Sequence, residues 1–274
     1  MTATEPYDEE FEALLQKITR DRGFHCASYK ESCVRRRVAV RMRARGVHRF
    51  ADYAHLLDSD VREYELLLDA LTINVSKLFR NPEVYQAIER DVIPALWSGS
   101  APRIRVWSAG CSSGHEPYSL AALFHRHAER THTLKRLSRV EILGTDIDAR
   151  SLAAAERGEF SEQDFSETPP EMRARYFSGG PPFRVTDDLR RLVRFARHDM
   201  LREAPPRPSN DLIVCRNAII YFDKASQERL MQAFHDALVT DGYLVLGKVE
   251  TLFGAARELF TSVAGRERIF RRVA

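Results

Sequence analysis

Three short stretches hold residue types suited to binding a nucleoside. Val106 to Ala121 reads VWSAGCSSGHEPYSLA, an apolar run followed by Gly110, Ser112, Ser113 and Gly114 and then a helical pattern. Small residues keep such a loop narrow enough for a ligand's carboxylate and ribose to lie against backbone N–H groups at the helix start. Roughly thirty residues on, Leu143 to Asp148 (LGTDID) sets Asp146 at the end of a second apolar run, where an acid can accept both ribose hydroxyls. The competing role is a helix N-cap, for which Asp148 is better placed than Asp146. Asp211 to Asp223 (DLIVCRNAIIYFD) sets Asn217 at the tip of a third run. Ligands of open α/β sheets bind beyond the carboxyl ends of the strands, so Gly110, Asp146 and Asn217 should face one crevice.

The elements that must position these residues follow from periodicity. Phe11, Leu14, Leu15 and Ile18 recur at helical spacing, and further helical stretches run from about Ser32 to Arg45, Phe50 to Leu57 and Val61 to Leu71. Asn81-Pro82 reads as an N-cap with proline at the first helical position, opening a helix toward Trp97. After Pro102 the pattern turns to strands alternating with helices: Ile104 to Ser108, Val140 to Thr145, Leu192 to Ala196, Leu212 to Cys215 and Tyr243 to Leu246. That alternation predicts a parallel sheet with helices on both faces. Between Phe160 and Val193, Gly179-Gly180-Pro181-Pro182 beside Phe183-Arg184-Val185-Thr186 reads as a hairpin insertion.

Composition narrows the class. With 274 residues, 44% hydrophobic and 30% charged, the chain is expected to fold throughout into one large domain and a small one. The polar, acidic start lacks a secretory signal, and no apolar run approaches membrane-spanning length, so a cytoplasmic protein without membrane insertion is expected. Cys26, Cys33, Cys111 and Cys215 form no CxxC pair and are expected as free thiols. His125, His127 and His132 contain no i, i+4 pair, which argues against a metal and for surface histidines. The net charge of +3 hides a basic segment: Arg20 to Arg49 has ten Lys or Arg against Asp21 and Glu31, a local +8 that leaves −5 elsewhere. Arg37, Arg41 and Arg45 form one helical row, with Arg36 and Arg43 opposite. The row suits docking of an acidic partner more than nucleic acid. Equally, it could be a solvated face neutralised by acids of the fold.

Five ordered motifs carry a family resemblance: NVSKLFR (Asn74 to Arg80), WSAGCSSGHEPYS (Trp107 to Ser119), GTDID (Gly144 to Asp148), CRNAIIYFD (Cys215 to Asp223) and DGYLVLG (Asp241 to Gly247). Together they resemble the chemotaxis receptor methyltransferases, the CheR-type protein-glutamate O-methyltransferases, over nearly the whole chain. The resemblance implies an α/β fold: a small all-helical amino-terminal domain (1–80), then a Rossmann-like methyltransferase domain (81–274) with a small antiparallel β-subdomain inserted at about 161–197. It implies S-adenosylmethionine as methyl donor, S-adenosylhomocysteine as product and no metal. Carried over by position, the cofactor contacts are Asn74, Ser76, Arg80, Gly110, Glu116, Asp146, Asp199, Met200, Arg216 and Asn217. Arg80 takes a catalytic share, and Tyr221 matches the residue beside the reacting methyl group.

The implied partners are chemoreceptor cytoplasmic helices bearing methyl-accepting glutamates, with Arg37, Arg41 and Arg45 in docking and a receptor carboxyl-terminal peptide as a candidate at the β-subdomain. A monomer is expected. The chain departs from the family pattern at His115, where a second glutamate is usual, at Leu78, at Ser76 in place of threonine, and over Gly247-Lys248-Val249-Glu250. The chemistry itself asks for few groups, because a glutamate carboxylate with a pKa of about 4.3 is already ionised at neutral pH and needs no general base. Rival readings are a cofactor-binding module without turnover, a small-molecule methyltransferase and a nicotinamide oxidoreductase. Intact Arg80 and Tyr221 oppose the first, the basic helical domain the second, and the lack of GxGxxG the third.

Overall fold

The computed structural model describes residues 6–72 and 76–273. They fall into two compact units, Met1–Asn74 with Tyr221–Ser226, and Val75–Ile220 with Gln227–Ala274.

The first unit is helical: α1 (Pro6–Arg22), α2 (Glu31–Ala44), α3 (Phe50–Ser59) and α4 (Val61–Thr72). Each helix buries one stripe, with Phe11, Leu14 and Ile18 on α1, Val34, Val38 and Met42 on α2, Phe50, Tyr53 and Leu57 on α3, and Tyr64, Leu67 and Leu71 on α4. Those are the i, i+3, i+4 positions that place side chains on one helix face. Cys26 sits in a separate short turn (Cys26–Ser28) and Cys33 on α2, so the two thiols do not share a helix. Tyr221–Ser226, which links the end of a short helical turn to the start of a helix, joins this unit through one bridge: Lys30 N–H donates to Tyr221 O at 2.8 Å and Asp223 N–H to Ser28 O at 3.0 Å, around the Tyr29–Phe222 pair.

The second unit opens with α5 (Pro82–Ala87), which passes through a wide turn at Ile88–Val92 into α6 (Ile93–Ser98). Its strands and helices then alternate as expected: β1 (Ile104–Ala109), α7 (His115–Arg130), β2 (Val140–Asp146), α8 (Ala149–Arg157), β3 (Glu159–Phe160), β4 (Phe177–Ser178), β5 (Phe183–Val185), β6 (Val193–Arg197), β7 (Asn210–Cys215), β8 (Leu238–Leu246), β9 (Phe260–Ala264) and β10 (Ile269–Arg272). The main sheet has the order β6-β2-β1-β7-β8-β10-β9. Its first five strands are parallel, with Ile104 opposite Val140 and Val106 opposite Leu212, and β10 runs antiparallel to both β8 and β9. β1 and β7 are buried almost without interruption, as parallel strands covered on both faces must be. The chain winds outward from β1 through β2 to β6, then returns beside β1 at β7. That reversal is the switch point at which open α/β sheets form their crevice.

Three boundaries differ from the sequence reading. Residues 76–80, expected with the helical domain, group with the second unit because their backbone is tied there: Leu78 N–H donates to Asp164 O at 3.0 Å and Phe79 N–H to Ser119 Oγ at 2.9 Å. The inserted sheet, in the order β3-β5-β4, begins at Glu159 and ends before Val193–Arg197, which lay within the bounds given for the insertion but pairs in parallel with β2, as the strand reading of Leu192 to Ala196 expected. The pair β9 and β10 went unpredicted, since Thr261, Ser262 and Val263 are exposed and give β9 no apolar alternation.

Candidate active site

The carboxyl ends of β1, β2 and β7 lie side by side and bring most of the expected residues together. Gly110 ends β1 with φ +77°, and its N–H and that of Cys111 donate to Thr145 O at 2.8 and 2.9 Å. A Cβ at Gly110 would stand 3.1 Å from Met200 Cε and 3.3 Å from the Ala218 side chain. Glycine is therefore favoured by the left-handed backbone, and a side chain there would also press on Met200 and Ala218. The same measurement places Met200 and the Asn217–Ala218 turn against the glycine loop.

Asp146, buried at the end of β2, holds that loop with both oxygens: Oδ2 accepts Ser112 N–H at 2.8 Å and Oδ1 accepts Asp148 N–H at 3.0 Å. Burial raises its pKa, while these hydrogen bonds pull the other way. Asp148 is the N-cap of α8, its side chain accepting Arg150 N–H, as the sequence suggested. Next along, His198 N–H donates to Asp146 O at 3.0 Å, and Asp199 Oδ1 accepts Leu201 N–H at 3.0 Å, closing the turn that carries Met200.

Glu116 and Arg216 form a buried pair beneath the glycine loop. Ser108 Oγ donates to Glu116 Oε1 at 2.8 Å, and Arg216 Nη1 stands 3.6 Å from Glu116 Oε2. Burial is the largest influence on Glu116 and raises its pKa despite the guanidinium. Arg216 Nη2 also donates to Arg80 O at 2.8 Å and to Asn81 Oδ1 at 3.0 Å. Asn81 was expected as a helix N-cap. It precedes α5 but has φ +60° and makes no cap, because its side-chain oxygen serves the guanidinium. Phe79 on the other side of Arg80 is left-handed too, at φ +54°. Two such residues around one arginine are costly and persist only where neighbours hold them, here Ser119, Glu167 and Arg216. Ser76 is half-buried at the start of this loop, and Asn74 lies outside the described residues.

His115, the departure from the family pattern, is buried and meets Asp164 Oδ1 through Nε2 at 2.9 Å. His125, expected at the surface, is buried as well, 3.3 Å from Tyr176 Oη, because the end of the insertion's helix, Pro170–Tyr176, packs against it. The residues that sequence reasoning missed are Ser108, Tyr85, Asp164 and Glu167, polar partners that only the fold brings into range, and Asn81 was expected only as a cap. Tyr85, Asp164 and Glu167 stand outside the five motifs, and Ser108 lies within one without being singled out.

The donor set fits a nucleoside cofactor. Among the described residues Ser112 Oγ is buried without a hydrogen-bond partner, and Asn217 is half-buried at φ +62°. Both stand in loops that end at the crevice. The described residues hold no group of His, Cys, Asp and Glu suited to a metal ion, and no helix is long and apolar enough to cross a membrane.

In the first unit the arginine row is met from within. Arg41 grips Glu63 through Nε at 3.0 Å and Nη2 at 2.6 Å, and Tyr53 Oη donates to the same carboxylate, which has no exposed surface. Arg45 reaches Asp60 at 2.9 Å. Arg37 donates to Ala70 O at 2.7 Å and lies 5.6 Å from the ring centroid of Tyr221, with burial lowering its pKa. Two of the row's three charges, on Arg41 and Arg45, are thus met by Glu63 and Asp60, while Arg37 meets a backbone carbonyl of α4. The exposed charges of α2 are on its other side, Arg36 and Arg43 around Val40.

Comparison with known proteins agrees with the geometry. Residues 9–72 match the family description "CheR methyltransferase, all-alpha domain", and residues 74–269 match "CheR methyltransferase, SAM binding domain". A chemotaxis protein methyltransferase of Listeria innocua is 32% identical over 250 residues, covering 91% of this chain and 92% of its own. Relatives of the same description from Klebsiella aerogenes, at 32% identity over 92% of this chain and 87% of theirs, and Pseudomonas aeruginosa, at 30% over 92% of each, extend the match.

Proposed function

The chain belongs to the CheR methyltransferase family, and from that premise we propose that it methylates glutamate side-chain carboxylates of a chemoreceptor, with S-adenosylmethionine as donor and S-adenosylhomocysteine as product. The observation that carries this reading is the convergence of Gly110, Asp146, Met200 and the Asn217 turn at the switch point, beside the Glu116–Arg216–Arg80 network. S-adenosylmethionine supplies a sulfonium methyl that is already activated, so the protein's task is alignment.

Each residue has a part in that task. Asp146 accepts the ribose hydroxyls with the lone pairs that Ser112 and Asp148 leave open. Gly110 and Ser112 offer backbone and hydroxyl to the amino-acid end, Met200 and Asp199 border the adenine side, and Asn217 supplies its carboxamide. Arg216 keeps Arg80 in its strained turn through the Arg80 carbonyl, and Glu116 balances the Arg216 charge. Arg80, with Asn74 and Ser76 upstream, completes the cofactor contacts. Tyr221 offers its hydroxyl at the transfer step. No general base is needed, and shielding the reacting carboxylate from water favours a reaction in which opposite charges cancel. Docking of the glutamate-rich helix falls to the outward face of α2, Arg36 and Arg43, rather than to the row whose members are engaged by Ala70, Glu63 and Asp60.

The test is transfer of labelled methyl from S-adenosylmethionine to receptor cytoplasmic fragments, with base lability as the mark of an ester. Tyr221→Phe keeps the ring and removes the hydroxyl. It should lower kcat and kcat/KM together while S-adenosylmethionine affinity and melting temperature hold. A parent chain that binds the cofactor but labels no fragment would return the protein to the binding-module reading.

A further inference from the structure

Glu250 has no part in the chemistry above, yet its side chain is buried, 4% exposed, and surrounded by backbone donors. It lies just beyond β8, in a turn closed by its own N–H donating to Gly247 O at 2.9 Å. Its Oε2 accepts the N–H of Gly247 at 2.6 Å and of Asn217 at 3.1 Å, and its Oε1 accepts those of Ile219 at 2.9 Å and Ile220 at 3.3 Å. One carboxylate thereby joins the turns that follow two neighbouring parallel strands, β7 and β8.

The match is chemically specific. An ionised carboxylate only accepts, through two oxygens with about four lone-pair sites, and four N–H groups fill them. A glutamine would turn an NH2 donor toward two N–H donors. Gly247 makes room for the arrangement: a Cβ there would stand 2.6 Å from Glu250 Oε2 and 2.9 Å from Asn217 N. Asn217 itself sits at φ +62°, in the left-handed region that asparagine tolerates better than most residues. Lys248 pairs with Glu83 rather than with Glu250.

We propose that Glu250 is a positioning residue for cofactor binding, holding the 217–220 turn so that the Asn217 side chain is presented to S-adenosylmethionine before it arrives. The inference rests on the cofactor site proposed above. Glu250→Gln should weaken S-adenosylmethionine binding by about tenfold, measured by calorimetry well below the melting temperature. In turnover, KM for S-adenosylmethionine should rise accordingly while kcat at saturation stays within about threefold of the parent. Gly247→Ala keeps the carboxylate but displaces it, and should reproduce the loss. A purely structural Glu250 would lower the melting temperature of both variants and leave the affinity of the folded protein unchanged, which overturns the proposal.

A third measurement needs no variant. Hydrogen exchange in the unmodified chain without ligand should find the Gly247, Asn217, Ile219 and Ile220 amides protected together. If they become protected only with S-adenosylhomocysteine present, the ligand sets the turn and Glu250 does not. If the unmodified chain binds neither S-adenosylmethionine nor S-adenosylhomocysteine, the site reading fails on its own account, separately from the exchange result.

Discussion

Asp146 serves the loop and the ligand with the same two oxygens. Asp146→Ala would leave the Ser112 and Asp148 N–H groups without their acceptor, at a cost of about 1–3 kcal/mol for each buried group left unpaired. It would also remove the acceptor proposed for the ribose. S-adenosylmethionine affinity should fall at least about tenfold by calorimetry, and an unchanged affinity removes Asp146 from the site. Asp164 offers a second test at this scale. Burial alone would raise its pKa, but hydrogen bonds from His115 and Ser161 prevail and hold it down to about 2. A carboxylate depressed on folding stabilises the folded state fully above its unfolded value, near 3.9, and loses that contribution as pH falls through its folded value. The window here therefore runs from about pH 4 down to about 2. His115→Leu should move the Asp164 carboxyl titration, followed by NMR, upward toward the ordinary range. No movement would mean that Ser161 alone accounts for the depression.

At the scale of elements, α2 shows how one helix can carry two kinds of arginine. Arg41 answers a carboxylate with no exposed surface, whereas Arg36 and Arg43 face outward. Removing one member of a buried pair strands the other charge, so Arg41→Ala should cost about 2 kcal/mol. The figure is held below that of a fully desolvated pair because Arg41 keeps 19% of its side chain exposed. Denaturant unfolding checks it. Arg36→Glu with Arg43→Glu should change stability by less than about 0.5 kcal/mol. The same pair should slow methylation of glutamate-rich fragments at low ionic strength, with the difference narrowing as salt is added. Equal rates of double variant and parent at low salt would reject docking on this face. The loop 78–81 makes the same point in backbone terms, since Phe79 and Asn81 both take left-handed conformations, the one at Phe79 against its local preference. Contacts from Ser119, Glu167 and Arg216 impose them.

At the scale of the whole molecule, the first unit is discontinuous in sequence. Tyr221–Ser226 returns to it after the chain has built most of the second unit. The hydrogen bonds of Lys30 to Tyr221 and Asp223 to Ser28, and the contact of the Tyr29 and Phe222 rings at 5.1 Å, belong to that return. A fragment of residues 1–75 lacks all of them. It should unfold at a lower temperature than the first unit does within the full chain, and a peptide of residues 219–228 added in excess should raise its midpoint. A fragment as stable as the intact unit would show that the returning segment adds nothing.

The order of the helices and parallel strands, the glycine loop, the strand-end acid and the family were legible in the sequence, whereas β9 and β10 were not. Hydrophobic periodicity and small-residue motifs are local signals, and local signals survive in a string of residues. The orientation of the arginine row was not legible, because spacing places Arg37, Arg41 and Arg45 on one face without saying whether that face meets solvent or Glu63. Nor were the left-handed turns around Arg80, the burial of His115 and His125, or the four N–H groups on Glu250. Each depends on partners from remote segments, such as Asp164 for His115 and Asn217 for Glu250, and only tertiary packing brings those within hydrogen-bond distance.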